Sequence, residues 1–293
     1  LKLALAKAKK IDADIVMATD PDGDRVGIGV KDLKGNFKLL NGNQAATLLI
    51  YYLLTKWKEK GKLKGNEYIV KTIVTTDLLA DIAKAYGVEC FEVLTGFKYI
   101  GEKIKEFEKN GDRKFIFGFE ESYGYLAGDF VRDKDAVIAS TLVCEMTLYY
   151  KMKGKSLYDA LMDLYKKYGF YREKLISIEL RGKKGHDKIE TIMHCLRHSM
   201  KRTIGGVKIV EKFDYKLGVK KDLMNISESS IKLPRSNVLK FVMEDKSWFV
   251  VRPSGTEPKI KIYLSVIGNS LENSRNKMTA LEKNVMDVIK SAD

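Results

Sequence analysis

At 293 residues the chain is long enough for more than one hydrophobic core, and 45% hydrophobic content with only four prolines marks an ordered globular protein. The net charge of +14 at pH 7 admits nucleic acid, a membrane surface or small anions as partners; the lysines are scattered along helices and turns, with no arginine-rich arm and no interleaved aromatics, which favours a solvated surface that attracts phosphate esters. No apolar run reaches the roughly 20 residues that cross a bilayer, and the three cysteines, Cys90, Cys144 and Cys195, lack zinc spacing and read as buried free thiols of a reducing cytoplasm.

In chain order, residues 1–10 alternate lysine with apolar residues like the end of a helix, so the chain reads as cut from something longer. A strand over 15–18, a turn at Pro21 and Gly23 and an outgoing strand over 26–30 read as the tail, residues 1–37, of a truncated α/β domain. A helix over 44–60, capped by Asn43 or Asn41, opens a second domain, 38–171. There, strands at 68–75, 89–94 and 114–118 alternate with helices up to 86 and 109 and over 134–153 and 156–168, which predicts a doubly wound, mixed and mainly parallel α/β sheet with its ligands in the loops beyond the strand carboxyl ends. Past residue 172 the pattern changes to strands at 175–180, 207–212, 238–243, 248–251 and 259–266 with helices at 187–200 and 271–291, an α+β domain over 172–293.

Three loops carry chemistry. Asp20, Asp22 and Asp24 alternate after the first strand, and a turn there can bring three carboxylates toward one point, where they repel unless a cation sits among them. Oxygen ligands without His or Cys favour Mg²⁺, and Arg25 adds a fixed positive charge where a phosphoryl oxygen could bridge both. An EF-hand is excluded because Arg25 and Lys31 stand where its Gly and Glu belong; an ordinary acidic surface turn is the plain alternative. Glu120 and Ser122, in the glycine-bounded string GFEESYG, can face the same way and hold adjacent hydroxyls, though a polar turn alone would look similar. Arg252, Ser254, Gly255 and Thr256 combine a guanidinium, two hydroxyls and backbone N–H groups in one turn that can take a phosphate without the P-loop pattern, though the spacing alone does not exclude a structural turn. His186, His194 and His198 complete no site and read as surface residues.

The strings DPDGDR, GFEESYGY and RPSGTEPKIKIY, in that order between residues 20 and 263, resemble the metal, sugar and phosphate loops of the α-D-phosphohexomutase family, which includes phosphoglucomutase and phosphomannomutase. The resemblance implies Mg²⁺ held by Asp20, Asp22 and Asp24, with Arg25 catalytic beside it. It implies sugar contacts from Glu120 and Ser122 and from a second sugar loop at Thr95, Gly96 and Lys98, and a distal-phosphate grip by Arg252, Ser254, Gly255 and Thr256. It further implies a hexose phosphate substrate, transfer through a phosphoserine and a sugar 1,6-bisphosphate that also acts as activator, and a cytoplasmic protein without nucleic-acid or membrane partners. Phosphopentomutase and glucose-1,6-bisphosphate synthase are the alternatives within the family. Many relatives carry His where this chain has Gly124, so the proton-transferring group is not assigned. No Ser here is followed by His-Asn, so the chain corresponds to the C-terminal portion and is expected to be inactive alone. The competing reading, a non-catalytic basic module for nucleic acid, leaves the DPDGDR loop without a purpose.

Overall fold

Helix α1 (Lys2–Lys10) leads into β1 (Ile15–Thr19), β2 (Val26–Lys31) and β3 (Phe37–Leu40), three antiparallel strands in that order, in a computed structural model that describes residues 1–180, 182–255 and 257–291. The chain divides into two compact units, the first ending at Tyr168 and the second starting at Gly169. In the first unit, helix α2 (Gly42–Glu59) starts in a capping box: Asn41 Oδ1 accepts from Gln44 N at 2.9 Å and Gln44 Oε1 from Asn41 N at 3.1 Å. Of the two expected caps the residue is Asn41; Asn43 is buried and accepts from Thr76 N at 3.1 Å.

Then follow β4 (Glu67–Thr72), α3 (Leu78–Ala85), β5 (Glu89–Val93), α4 (Phe97–Asn110), β6 (Lys114–Glu120), β7 (Gly124–Ala127), α5 (Ala136–Lys151) and α6 (Leu157–Tyr168). The sheet order is β5-β4-β6-β7, parallel except for β7, so the expected mixed α/β sheet is present; the hairpin strand β7 escaped the sequence reading because it is only four residues long. All six residues of β4 are buried, as a central strand in a helix-covered sheet requires. On α4, Phe97, Ile100, Ile104 and Phe107 recur at helical spacing and pack with Tyr68, Val70 and Phe115. Lys71 is a charged residue buried in β4: its ammonium lies 2.9 Å from Asp77 and 2.5 Å from Glu92. Burial would discharge it, but those two carboxylates outweigh burial and hold it charged well above the ordinary lysine range.

The second unit runs β8 (Phe170–Glu179), α7 (Gly182–His198), β9 (Thr203–Ile204), β10 (Val207–Asp214), β11 (Val219–Asp222), β12 (Ser227–Ser230), β13 (Leu239–Met243), β14 (Trp248–Pro253), β15 (Lys259–Gly268) and α8 (Leu271–Ser291). Its antiparallel sheet has the order β12-β11-β10-β13-β14-β15-β8, with β9 paired to β10. One face is covered by Ile189, Ile192, Met193 and Leu196 of α7 and by Met278, Leu281, Val285 and Ile289 of α8, the expected α+β arrangement. Arg197 at the end of α7 donates to the buried Asp214 at 2.7 Å and to Asn237 at 2.9 Å. The cysteine expectation fails at Cys144, which is exposed on α5, and Cys90 and Cys195 are only half-buried; none of the three is in a disulfide. No helix among the described residues is long and apolar enough to cross a membrane.

Candidate active-site loops

The acidic loop joins β1 to β2 and is closed on itself by its first aspartate. Asp20 Oδ1 accepts from Asp24 N and Arg25 N, each at 3.2 Å, while Gly23 N donates to Asp20 O at 3.1 Å. Burial pushes the Asp20 carboxyl up, but the two N–H donors, the neighbouring Asp24 carboxyl and the Arg25 charge outweigh it and hold it below the usual carboxylate range. Asp22 is exposed at the tip. Asp24 is half-buried: one carboxylate oxygen lies 3.1 Å from Lys134 Nζ, and the other, Oδ1, is buried without a hydrogen-bond partner, 3.7 Å from Arg25 Nε. Among the described residues no three His, Cys, Asp or Glu side chains form a group that could hold a metal ion, so the three carboxylates are not gathered on one point. The donor set nevertheless suits a hard cation in kind, being carboxylate oxygens only, and the orphaned Asp24 Oδ1 is a buried acceptor of the sort a cation satisfies.

The acidic loop is tied to the turn between β6 and β7. Val26 N donates to Tyr123 O at 3.3 Å, Arg25 forms a β-bridge with Gly124, and Ala136 N donates to Gly23 O at 3.3 Å. Tyr123 sits at φ +64°, uncommon for a bulky side chain. In the same turn Glu120 and Ser122 are half-buried, and Glu120 Oε1 accepts from Gly96 N at 3.1 Å. Gly96 takes φ +121° before α4, a conformation open to glycine and costly for other residues, and this aims its N–H at the Glu120 carboxylate. Both expected sugar loops thus meet through one hydrogen bond. Thr95 is half-buried beside Gly96, and Lys98 is exposed with Nζ 4.7 Å from the Tyr99 ring centre.

Lys134 is the functional candidate that sequence reasoning missed, because residues 134–153 read as one helix. The helix instead starts at Ala136, with Asp135 Oδ1 accepting from Val137 N at 2.9 Å and Ile138 N at 3.0 Å, and Lys134 is left in the loop before it. Its side chain is 9% exposed, its Nζ lies 2.7 Å from Asp133 and 3.1 Å from Asp24, and it stands 5.0 Å from the centre of the Phe97 ring. Burial lowers the pKa of this ammonium, while the Asp133 and Asp24 carboxylates raise it further, to above the ordinary value. Gly124 makes room for it: a Cβ there would collide with Lys134 Cδ and lie 2.9 Å from Cγ. The sequence signal was a lysine between two aspartates just before an apolar helix.

In the second unit, Arg252 lies near the end of β14 and Lys261 on β15 pairs with it across the sheet. The following turn closes through Ser254 N donating to Lys259 O at 2.8 Å and Leu180 N to Pro258 O at 2.8 Å. Arg252 and Ser254 are half-buried. Gly255 is exposed, and a side chain there would meet nothing within 4 Å, so packing gives no reason for glycine at that position. Thr256, the last of the expected phosphate contacts, lies outside the described residues.

Two family models match the chain: phosphoglucomutase/phosphomannomutase, alpha/beta/alpha domain III, over residues 41–168, and the C-terminal domain of the same family over residues 202–266. A phosphoglucomutase of Staphylococcus epidermidis is 40% identical over 259 residues, 88% of this chain and 46% of that protein. One of Staphylococcus aureus is 37% identical over 278 residues, 95% of this chain and 49% of that protein. The chain spans about half the length of the curated relatives it matches. Among solved structures, a Paramecium phosphoglucomutase in an open form has the same fold at TM-score 0.64 and 19% identity, over 96% of this chain and 45% of that one. An Aspergillus fumigatus N-acetylphosphoglucosamine mutase in complex with GlcNAc-6P and magnesium follows at TM-score 0.51 and 14% identity, over 97% of this chain and 52% of that one. With both family models falling on the two units that carry these loops, the chain belongs to the phosphoglucomutase/phosphomannomutase family and corresponds to its C-terminal portion.

Proposed function

We propose that the chain supplies the metal, sugar and phosphate loops of a Mg²⁺-dependent phosphohexomutase that interconverts sugar 1-phosphate and 6-phosphate, with glucose the first candidate sugar and mannose the next. The observation that carries this reading is the joining of the acidic loop to the Glu120 turn and of that turn to Gly96, which puts carboxylates, a buried ammonium and sugar-matching polar groups into one cluster. Support comes from the phosphoglucomutase relatives and from the magnesium and sugar phosphate in the Aspergillus mutase complex.

Asp20, Asp22 and Asp24 are the residues that would hold the cation, which would supply charge neutralisation to a phosphoryl group in transfer. Arg25 offers a guanidinium, its side chain 47% exposed, to the same phosphoryl oxygens. Glu120 accepts from a sugar hydroxyl as it does from Gly96 N, Ser122 both donates and accepts, and Lys98 contributes a point charge at the rim. Lys134 gives the cluster a second fixed positive charge and a proton-bearing group near the sugar turn. Arg252, Ser254, Gly255 and Thr256 grip the phosphate that is not reacting, which fixes the substrate so that binding energy goes into orientation.

The test is a coupled mutase assay on the longer parent protein across glucose, mannose, ribose and N-acetylglucosamine phosphates. The expected result is Mg²⁺-dependent turnover of a hexose phosphate, lost in Asp22→Asn. Turnover and Mg²⁺ dependence that survive Asp22→Asn would overturn the metal assignment.

A further inference from the structure

Taking residues 20–25 as the metal loop, we propose that Lys134 is a built-in counter-ion for Asp24 that a divalent cation displaces on binding, so that metal affinity is set by competition with the protein's own ammonium. Three observations lead there. Lys134 Nζ sits 3.1 Å from Asp24 Oδ2 with its stem nine-tenths buried, so the contact is part of the packed site and not a surface pairing. Asp24 Oδ1 remains buried and unpartnered, so the ammonium satisfies only half of this carboxylate. Among the described residues the carboxylates also form no three-ligand group, so the loop with Asp24 on Lys134 is not yet in a metal-holding arrangement.

A cation held by Asp24 would lie within a few ångströms of the ammonium, and two positive charges at that range in a partly desolvated site exclude one another. Asp133, 2.7 Å from Nζ and largely exposed, is where the displaced ammonium goes: it already carries half of the pairing and follows the lysine toward solvent. Gly124 is the second part of the device, because only a residue without a Cβ lets the lysine stem pass under the turn to reach Asp24. The charged groups facing the ammonium are Asp24 and Asp133, with Arg25 the like charge on the far side of Asp24.

The experiment is Mn²⁺ titration of this chain followed by the electron paramagnetic resonance signal of free Mn²⁺, on wild type, Lys134→Met, Gly124→Ala and Asp24→Asn, with thermal melting to confirm that each is folded. Lys134→Met is expected to bind Mn²⁺ about tenfold more tightly than wild type. Gly124→Ala keeps the lysine but pushes its stem aside, so it is expected to shift affinity in the same direction by a smaller factor. Asp24→Asn is expected to lose binding. Equal affinities for wild type, Lys134→Met and Gly124→Ala, with binding still lost in Asp24→Asn, would overturn the exchange while leaving the metal loop intact. No binding by any of the four would overturn both.

Discussion

The two units hold their candidate loops in opposite ways. In the first, the loops are tied to one another: the acidic loop is closed by Asp20, joined to the β6–β7 turn through Val26 and Tyr123, reached by Lys134, and linked onward to Gly96 through Glu120. In the second, the Arg252 turn is an extension of two strands, closed by backbone hydrogen bonds to Lys259 and Leu180, with Gly255 exposed and uncrowded. The difference fits two kinds of recognition. A sugar face and a cation need side chains fixed against one another, whereas a phosphate needs donors that are open to it. The strand pairing alone does not make the difference: the acidic loop and the Glu120 turn are hairpins of antiparallel pairs, as the Arg252 turn is, and only the Gly96 loop follows a strand paired parallel.

Four substitutions sharpen that contrast. The largest effect is expected from Arg197→Leu, which leaves the Asp214 carboxylate, 4% exposed, without its charged partner. It should destabilise the second unit by about 3 kcal/mol, seen by calorimetry as a transition moving down while the first unit's melting stays in place; a uniform shift would show that the units melt as one. Lys71→Met leaves Asp77 and Glu92 facing each other with 36% and 40% of their side chains exposed. Because water screens them, the expected loss is about 2 kcal/mol, confined to the first unit. Arg252→Ala should weaken glucose 1-phosphate binding by about 2 kcal/mol, roughly 30-fold, without changing either melting transition; isothermal titration checks the first part and calorimetry the second.

The smallest effect belongs to the Asp245–Lys277 pair at 2.8 Å in the second unit. Burial pushes the Asp245 carboxyl up, but Lys277 and the Ser247 N–H outweigh it, so its folded-state pKa lies below the ordinary 3.8. A carboxyl depressed in the folded state stabilises above its unfolded pKa, and that contribution is lost as pH falls from about 3.8 through the lower folded value. Lys277→Ala should therefore cost about 0.5 kcal/mol near neutral pH and progressively less below about pH 4, measured by urea denaturation across that range.

Much of this was legible in the residues. Hydrophobic periodicity located most of the elements, since α4 repeats its apolar residues at 97, 100, 104 and 107 and β4 is a continuous buried run. The acidic loop was readable as a turn between two strands from Pro21 and Gly23, whereas the expected gathering of its three carboxylates is not present among the described residues. Besides the short strands β3, β7 and β9, three things were not legible. Strands β11 and β12 are polar, and all four residues of β12 are exposed, so no apolar alternation marks them. The α2 cap could not be told between Asn41 and Asn43 until the partner Thr76 was seen to claim Asn43. Lys134 was hidden because its place depends on Gly124 and Asp24, which reach it only through the fold, and a lysine beside a helix is ordinarily solvated.

The most direct test of the central claim is a titration of this isotopically labelled chain with glucose 1,6-bisphosphate in the presence of Mg²⁺, following backbone amide resonances. The account predicts saturable shifts at Gly96, at residues 120–124 and at residues 252–255, and shifts at Asp20 to Arg25 that require the metal. Shifts spread over surface lysines, with those loops unmoved, would contradict it.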